Sequence, residues 1–86
     1  MNYSVIVDVT LREGIADPEG ATIERALPAL GFGGVSDVKA GKQFRMIIEA
    51  ESEAAALEKA TSLGERLLSN PVIEDSRATV RKALAP

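Results

Sequence analysis

Tyr3, Val5, Val7, Val9 and Leu11 alternate with Asn2, Ser4, Asp8, Thr10 and Arg12, and only Ile6 interrupts the polar half of the pattern. A period of two held this long specifies a strand with one buried face. Such a strand is stable only when a second layer lies on that face. The remainder of an 86-residue chain must supply the layer. Size scaling gives a folded surface of about 4,900 Å² against about 13,200 Å² extended, so roughly 63% of the surface can be buried. The core is thinner than the 45% apolar content suggests, because 13 of those residues are Ala and only Tyr3, Phe32 and Phe44 are aromatic. A chain of this kind is expected to gain further burial by self-association.

After the strand, residues 13–18 read as a loop that ends in helix-start signals. Asp17 can accept from free backbone N–H groups, and Pro18 suits the first helical position. Ile23, Ala26, Leu27 and Leu30 then recur at helical spacing, which predicts an amphipathic helix. Pro28 removes the bond to the Glu24 carbonyl and predicts a kink or early loosening. Gly31 is placed to stop the helix in the left-handed conformation, with Phe32 folding back on Leu27.

Residues 35–50 read as extended, where Ala40-Gly41-Lys42-Gln43 either turns a hairpin, the favoured reading, or places a glycine bend in one long strand, and the part that follows has Phe44, Met46, Ile48 and Ala50 on one face. Ser52 opens a second helix whose stripe is Ala56, Ala60, Leu63 and Leu67, widened by Leu57, Gly64 and Leu68; Asn70-Pro71 closes it. An extended stretch runs from Val72 to about Val80, and residues 81–86 read as a frayed tail. The expected fold is one α+β domain over residues 1–86, a two-layer sandwich of β-α-β-β-α-β order. Its antiparallel sheet is covered by two helices on one face, as in ferredoxin-like folds. Ile6 and Ile47 then fall on central strands of the uncovered face, where they are candidate oligomer contacts.

Composition removes several chemistries. Without His or Cys the chain has no Ser-His-Asp triad, thiolate nucleophile, disulfide or zinc site of those ligands. A net charge of −3 and three aromatics argue against nucleic acid as a partner. No apolar run approaches the length of a membrane span and the N-terminus lacks signal-peptide regions, so a soluble, cytoplasmic protein is expected. Gly41-Lys42 is followed by Gln43 and preceded by Ser36 where a phosphate-binding loop needs glycine. Gly31, Gly33 and Gly34 lead into an extended stretch and read as loop glycines. Glu49, Glu51 and Glu53 favour a helix N-terminus and solubility, and no convergent catalytic set emerges.

Two segments are more specified than local structure requires. In residues 12–20, Arg-Glu-Gly-Ile-Ala-Asp-Pro-Glu-Gly, a glycine at the third helical position costs about 1 kcal/mol relative to Ala, so Gly20 implies a close backbone approach. The second is residues 67–75, Leu-Leu-Ser-Asn-Pro-Val-Ile-Glu-Asp, a helix stop that launches a strand. Together with Ala26-Leu27, Leu30-Gly31 and the Val-Lys-Ala-Gly-Lys run at 38–42, in this order and spacing, they resemble the PurS family. That family is the small subunit of phosphoribosylformylglycinamidine synthase in purine biosynthesis. The likeness runs from Tyr3 to about Thr79; Lys39 in place of a usual Arg, Pro28 inside the first helix and the basic stretch from Arg77 to Lys82 depart from the pattern.

The resemblance implies an accessory subunit with no catalytic residue and no metal or cofactor of its own. It would serve a complex that uses ATP, magnesium and glutamine. The implied partners are the PurL synthetase and the PurQ glutaminase, with the chain itself a homodimer or a dimer of dimers. Arg12, Gly14, Asp17, Pro18, Gly20, Lys42, Asn70, Pro71 and Val72 are the candidate partner contacts, with Arg12 and Lys42 as polar anchors. The inferred element order is also that of ACT-type regulatory modules, which bind amino acids at dimer interfaces beside a glycine such as Gly14.

Overall fold

A computed structural model describes residues 1–84. Strand β1 spans Asn2–Leu11, helix α1 Pro18–Ala26, strand β2 Gly41–Glu49, helix α2 Glu53–Leu63 and strand β3 Glu74–Leu84. The sheet is antiparallel throughout in the order β2-β1-β3. The alternating strand is therefore the central one, and Val5, Val7 and Val9 are its largest fully buried side chains. Tyr3, Ile48, Ala56 and Ala60 complete the buried core, with Phe44, Met46, Leu68, Ala78 and Val80 packed half-buried against it. A bulge at Ser4/Val5 leaves Arg81 as the extra residue of β3.

The α+β class and antiparallel sheet hold, with one strand fewer than expected. Residues 35–40 form no strand; Gly34 at φ 82° and Asp37 at φ 57° turn the chain repeatedly before β2 begins at Gly41. Residues 81–84 are the end of β3 and not a frayed tail, while Ala85 and Pro86 lie outside the described residues.

Helix α1 starts as its sequence dictates and ends where Pro28 requires. The Glu24 carbonyl, denied a proline N–H, accepts instead from Leu27 at 3.3 Å, and a 3₁₀ turn follows over Pro28–Leu30. Gly31 stops it at φ 88°, with Phe32 N–H donating to the Leu27 carbonyl at 3.0 Å and Gly31 N–H to the Pro28 carbonyl at 3.1 Å. This is the Schellman arrangement. The Phe32 side chain itself stays exposed.

The two helices do not share the sheet face. Ser52 caps α2 through Ala55 N–H at 3.1 Å, and the small residues Ala56, Ala60 and Gly64 let α2 lie close on the valines. A π turn, Gly64–Leu68, follows, with Ser69 N–H donating to the Gly64 carbonyl at 3.0 Å. A wider turn holds one more residue, so the apolar register slips: Leu68 packs inward and Leu67, expected in the stripe, is exposed. Helix α1 is elsewhere, since none of its Cα atoms comes within 8 Å of a strand or of α2. The flank of α2 above β2 is left as an open groove of about 780 Å³, lined by Ile48, Ala55, Leu63 and Leu67 with Glu58 and Arg66.

Candidate docking end of the sheet

The two segments singled out by sequence meet at one end of the sheet because β1 runs towards the turn that launches β3. Where β1 ends, Arg12 N–H donates to the Ile73 carbonyl at 2.8 Å, and its Nε reaches both the Glu74 carbonyl and Asp75 Oδ1 at 3.3 Å. Ile15 N–H then donates to the Arg12 carbonyl at 3.1 Å, with Gly14 at φ 84°, the backbone that a type II turn requires at its third residue. The opposing turn is held by Asn70. Its Oδ1 accepts from Val72 N–H at 3.1 Å, its carbonyl accepts from Ile73 and Glu74 N–H, and its own N–H donates to Glu74 Oε1 at 2.7 Å. Val72 is left 78% exposed at the tip, behind Pro71.

Asp17 ties the loop to the start of β2. Its Oδ1 accepts from Gly20 N–H at 2.9 Å and its Oδ2 from Ala40 N–H at 2.8 Å. These two bonds, from Gly20 and then Ala40, hold its carboxyl below the usual aspartate range against an opposing desolvation, with the nearby Lys39 charge adding to them. Glu24 makes a parallel clamp, accepting from Val38 N–H at 2.9 Å. The folded carboxylate of Asp17 binds its proton more weakly than the unfolded one. Its contribution is thus present above the unfolded-state pKa and fades as pH falls through the folded-state value. Acid titration of wild type against Asp17→Asn, followed by circular dichroism, is expected to show a stability gap near neutral pH that closes on acidification.

Lys42 stands opposite Val9 in β2 and lines a small pocket of about 170 Å³ with Leu11, Asp17 and Glu74. A larger pocket of about 570 Å³ is framed by Arg12, Gly14, Ile15, Asp17, Asp37 and Lys39. The structure thus gathers Arg12, Gly14, Asp17, Lys42, Asn70, Pro71 and Val72 at this end, with Pro18 exposed as the first residue of α1.

Gly20 is different. It is buried, and a methyl there would overlap the Val38 carbonyl oxygen, so the close approach its sequence implied is internal to the chain. Asp37, Lys39 and the Glu24 clamp did not stand out in the sequence as part of this site. Only the left-handed backbone at Asp37 marks the place, and asparagine-like residues carry that signal weakly.

The Arg12 ion pair is a surface one, its side chains 48% and 67% exposed. Arg12→Ala is expected to cost under about 1 kcal/mol in denaturant unfolding, because solvent screens such pairs. A large loss in partner binding by that variant would then be a property of the interface. On the open sheet face Ile47 lies on edge strand β2, not a central one. It is paired with Ser4, diagonal to Ile6, and 65% exposed. Among the described residues no His, Cys, Asp or Glu group is placed to hold a metal ion, and no helix is long and apolar enough to cross a membrane.

Comparison with known proteins gives one family. The family model described as "PurS: Phosphoribosylformylglycinamidine (FGAM) synthase" matches residues 4–82. The PurS subunit of phosphoribosylformylglycinamidine synthase from Methanocaldococcus jannaschii is 40% identical over 80 residues, covering 93% of this chain and 96% of that one. The Bacillus subtilis subunit is 37% identical over 84 residues, covering 96% and 98%. Among solved structures, Methanocaldococcus jannaschii PurS aligns with a TM-score of 0.82 at 37% identity, covering 98% of this chain and all of that one. A chain of the PurLQS structure from Thermotoga maritima aligns with a TM-score of 0.84 at 32% identity, covering 93% and 98%.

Proposed function

Because the chain belongs to the PurS family, we propose that it is the accessory subunit through which a PurL synthetase and a PurQ glutaminase are joined in phosphoribosylformylglycinamidine synthase. The observation that carries this is the shared fold, over 93% of the chain, with a chain of an assembly named for all three subunits. In this reading PurQ releases ammonia from glutamine, and PurL uses ATP and magnesium to activate the amide oxygen of formylglycinamide ribonucleotide. Free ammonia is lost to water or protonated, so the two sites must be held together with water kept out. A small chain with no His or Cys contributes surface to that task and no bond-making group. The reading assigns magnesium to PurL; among the described residues of this chain no cluster of three or more acidic side chains is gathered.

The docking end is the contact surface in this proposal. The Arg12 loop and the Asn70 turn are hydrogen-bonded into one unit, so a partner seated on exposed Val72 also meets Arg12, while Lys42 and the exposed Pro18 flank it. Self-association to a homodimer or a dimer of dimers, with Ile6 and Ile47 at one contact, belongs to the same reading. So does a cytoplasmic location, without nucleic acid or membrane partners. The match to PurS over residues 4–82 does not favour the ACT reading.

Purified PurL and PurQ, assayed with and without this chain, test the proposal. Glutamine-dependent turnover is expected to be lost without it, while turnover on high ammonia is largely kept. Equal glutamine-dependent rates in both mixtures would refute the role.

A further inference from the structure

The outer flank of β3 has no neighbouring strand. In the order β2-β1-β3 it is an edge, and among the described residues the elements that touch it are β1 on its inner side and α2 with the π turn on its helix face. The 11 residues Glu74–Leu84 thus run along an open edge. Such an edge offers unpaired backbone N–H and C=O groups to any extended chain, and charged side chains usually blunt it.

The charges on β3 blunt it selectively. The strand begins with Glu74 and Asp75, ends with Arg81 and Lys82 before two apolar residues, and carries Ala78 between them. Asp75, Arg77, Thr79, Arg81 and Lys82 are exposed, whereas Ser76, Ala78 and Val80 are half-buried on the helix side. Among the described residues none of Arg77, Arg81 and Lys82 takes part in an ion pair. Asp75 meets Arg12, yet its side chain is still 67% exposed.

The bulge sets the register in which these charges meet. Asp75 stands opposite Thr10 of β1, Ala78 opposite Val7 and Lys82 opposite Ser4, with Arg81 as the extra residue. Thr10 and Ser4 are equally spaced either side of Val7, so a two-fold axis at Ala78 brings Asp75 of one copy against Lys82 of the next, with the bulged Arg81 beside it. Arg77 then faces Thr79, and the small Ala78 sits at the axis. Parallel pairing in register sets like charge against like, which is unfavourable. The pattern therefore admits one orientation of one occupant.

We infer that β3 pairs antiparallel with β3 of a second copy about this axis, joining two three-stranded sheets into one continuous sheet. The contact is isologous and closes at two chains, because the same edge serves both. It pairs the backbone of the open edge and gives each Asp75 the unpaired cations of the other copy. The inference rests on the self-association part of the proposed function and not on PurL or PurQ.

The chain has no cysteine, which permits a clean test on it alone. Arg77→Cys and Thr79→Cys, both at exposed positions, are prepared separately, mixed and mildly oxidised. Directly opposite residues lie within disulfide reach and diagonal ones do not, so a disulfide pair with one chain of each kind is expected to form at least about tenfold faster than like pairs. Mixed linkage no faster than like linkage overturns the contact. In the same cysteine variants, Arg81→Glu with Lys82→Glu is expected to slow mixed linkage about tenfold, as attraction at two symmetric sites becomes repulsion. Adding Asp75→Lys to both chains is expected to restore it. An unchanged rate in the first case, or no recovery in the second, overturns the register. A wild-type chain that is monomeric in light scattering overturns the contact while leaving the role with PurL and PurQ to the reconstitution assay.

Discussion

Gly20→Ala is expected to lower the thermal midpoint by on the order of 10 °C, although alanine is the better helix former. The propensity gain is about 1 kcal/mol. Against it, the new methyl overlaps the Val38 carbonyl oxygen and lies 2.7 Å from Asp17 Oδ2. The first obstacle is backbone and cannot swing aside, so α1 and residues 38–40 must separate. Forced overpacking costs about 1–3 kcal/mol, and separation also strains the bonds from Ala40 to Asp17 and from Val38 to Glu24. The net loss is about 2 kcal/mol, which in a domain of this size moves the midpoint by several degrees per kcal/mol. Circular dichroism melts of wild type and Gly20→Ala at equal concentration check it. A midpoint equal to or above wild type would show that α1 and residues 38–40 adjust freely.

The contrast between a helix signal and a contact made across the fold runs through the whole chain. Signals that act within a few residues were legible: the alternation of β1, the Asp17 and Ser52 caps, the Gly31 stop and the loosening at Pro28. Each is fixed by sterics or by a hydrogen bond to a near neighbour. Relations between segments were not legible. The apolar stripe of α1 predicts a helix packed on the sheet, but periodicity does not place it, and the helix lies off the sheet. Residues 35–40 carry the β-branched Val35 and Val38 and lead into β2, which suggests a strand, yet positive φ at Gly34 and Asp37 breaks the extended run. Leu67 was misplaced because a π turn shifts register without any proline or glycine pattern unique to it.

At the candidate docking end the block 67–75 and the loop 12–20 are both visible in sequence. Their union depends on β1 and β3 being sheet neighbours, which is a fact of topology. The same limit explains Gly20. Its cost in a helix was evident, but whether the approaching backbone came from this chain or another could be decided only by Val38.

Gly64→Ala places the same question inside the core, where the answer couples two elements. A methyl at Gly64 would lie 2.9 Å from Ser76 Oγ, 3.1 Å from Val7 Cγ1 and 3.2 Å from Ser76 Cβ. The hydroxyl can rotate away; Val7, with 0% exposure in the central strand, cannot. Helix propensity favours the alanine by up to about 1 kcal/mol, and overpacking opposes it by about 1–3 kcal/mol, so a net loss of about 1–2 kcal/mol is expected. Val7→Ala alone removes buried methyls and is expected to cost about 2–3 kcal/mol, transfer and cavity together. The two changes are complementary in volume, so the double variant should lose less than the sum of the singles by at least about 1 kcal/mol. Urea unfolding of the four chains measures that coupling. Strict additivity would mean that α2 rides over Val7 without contact, and the close seating of Ala56, Ala60 and Gly64 on β1 would then not be what holds the helix to the sheet.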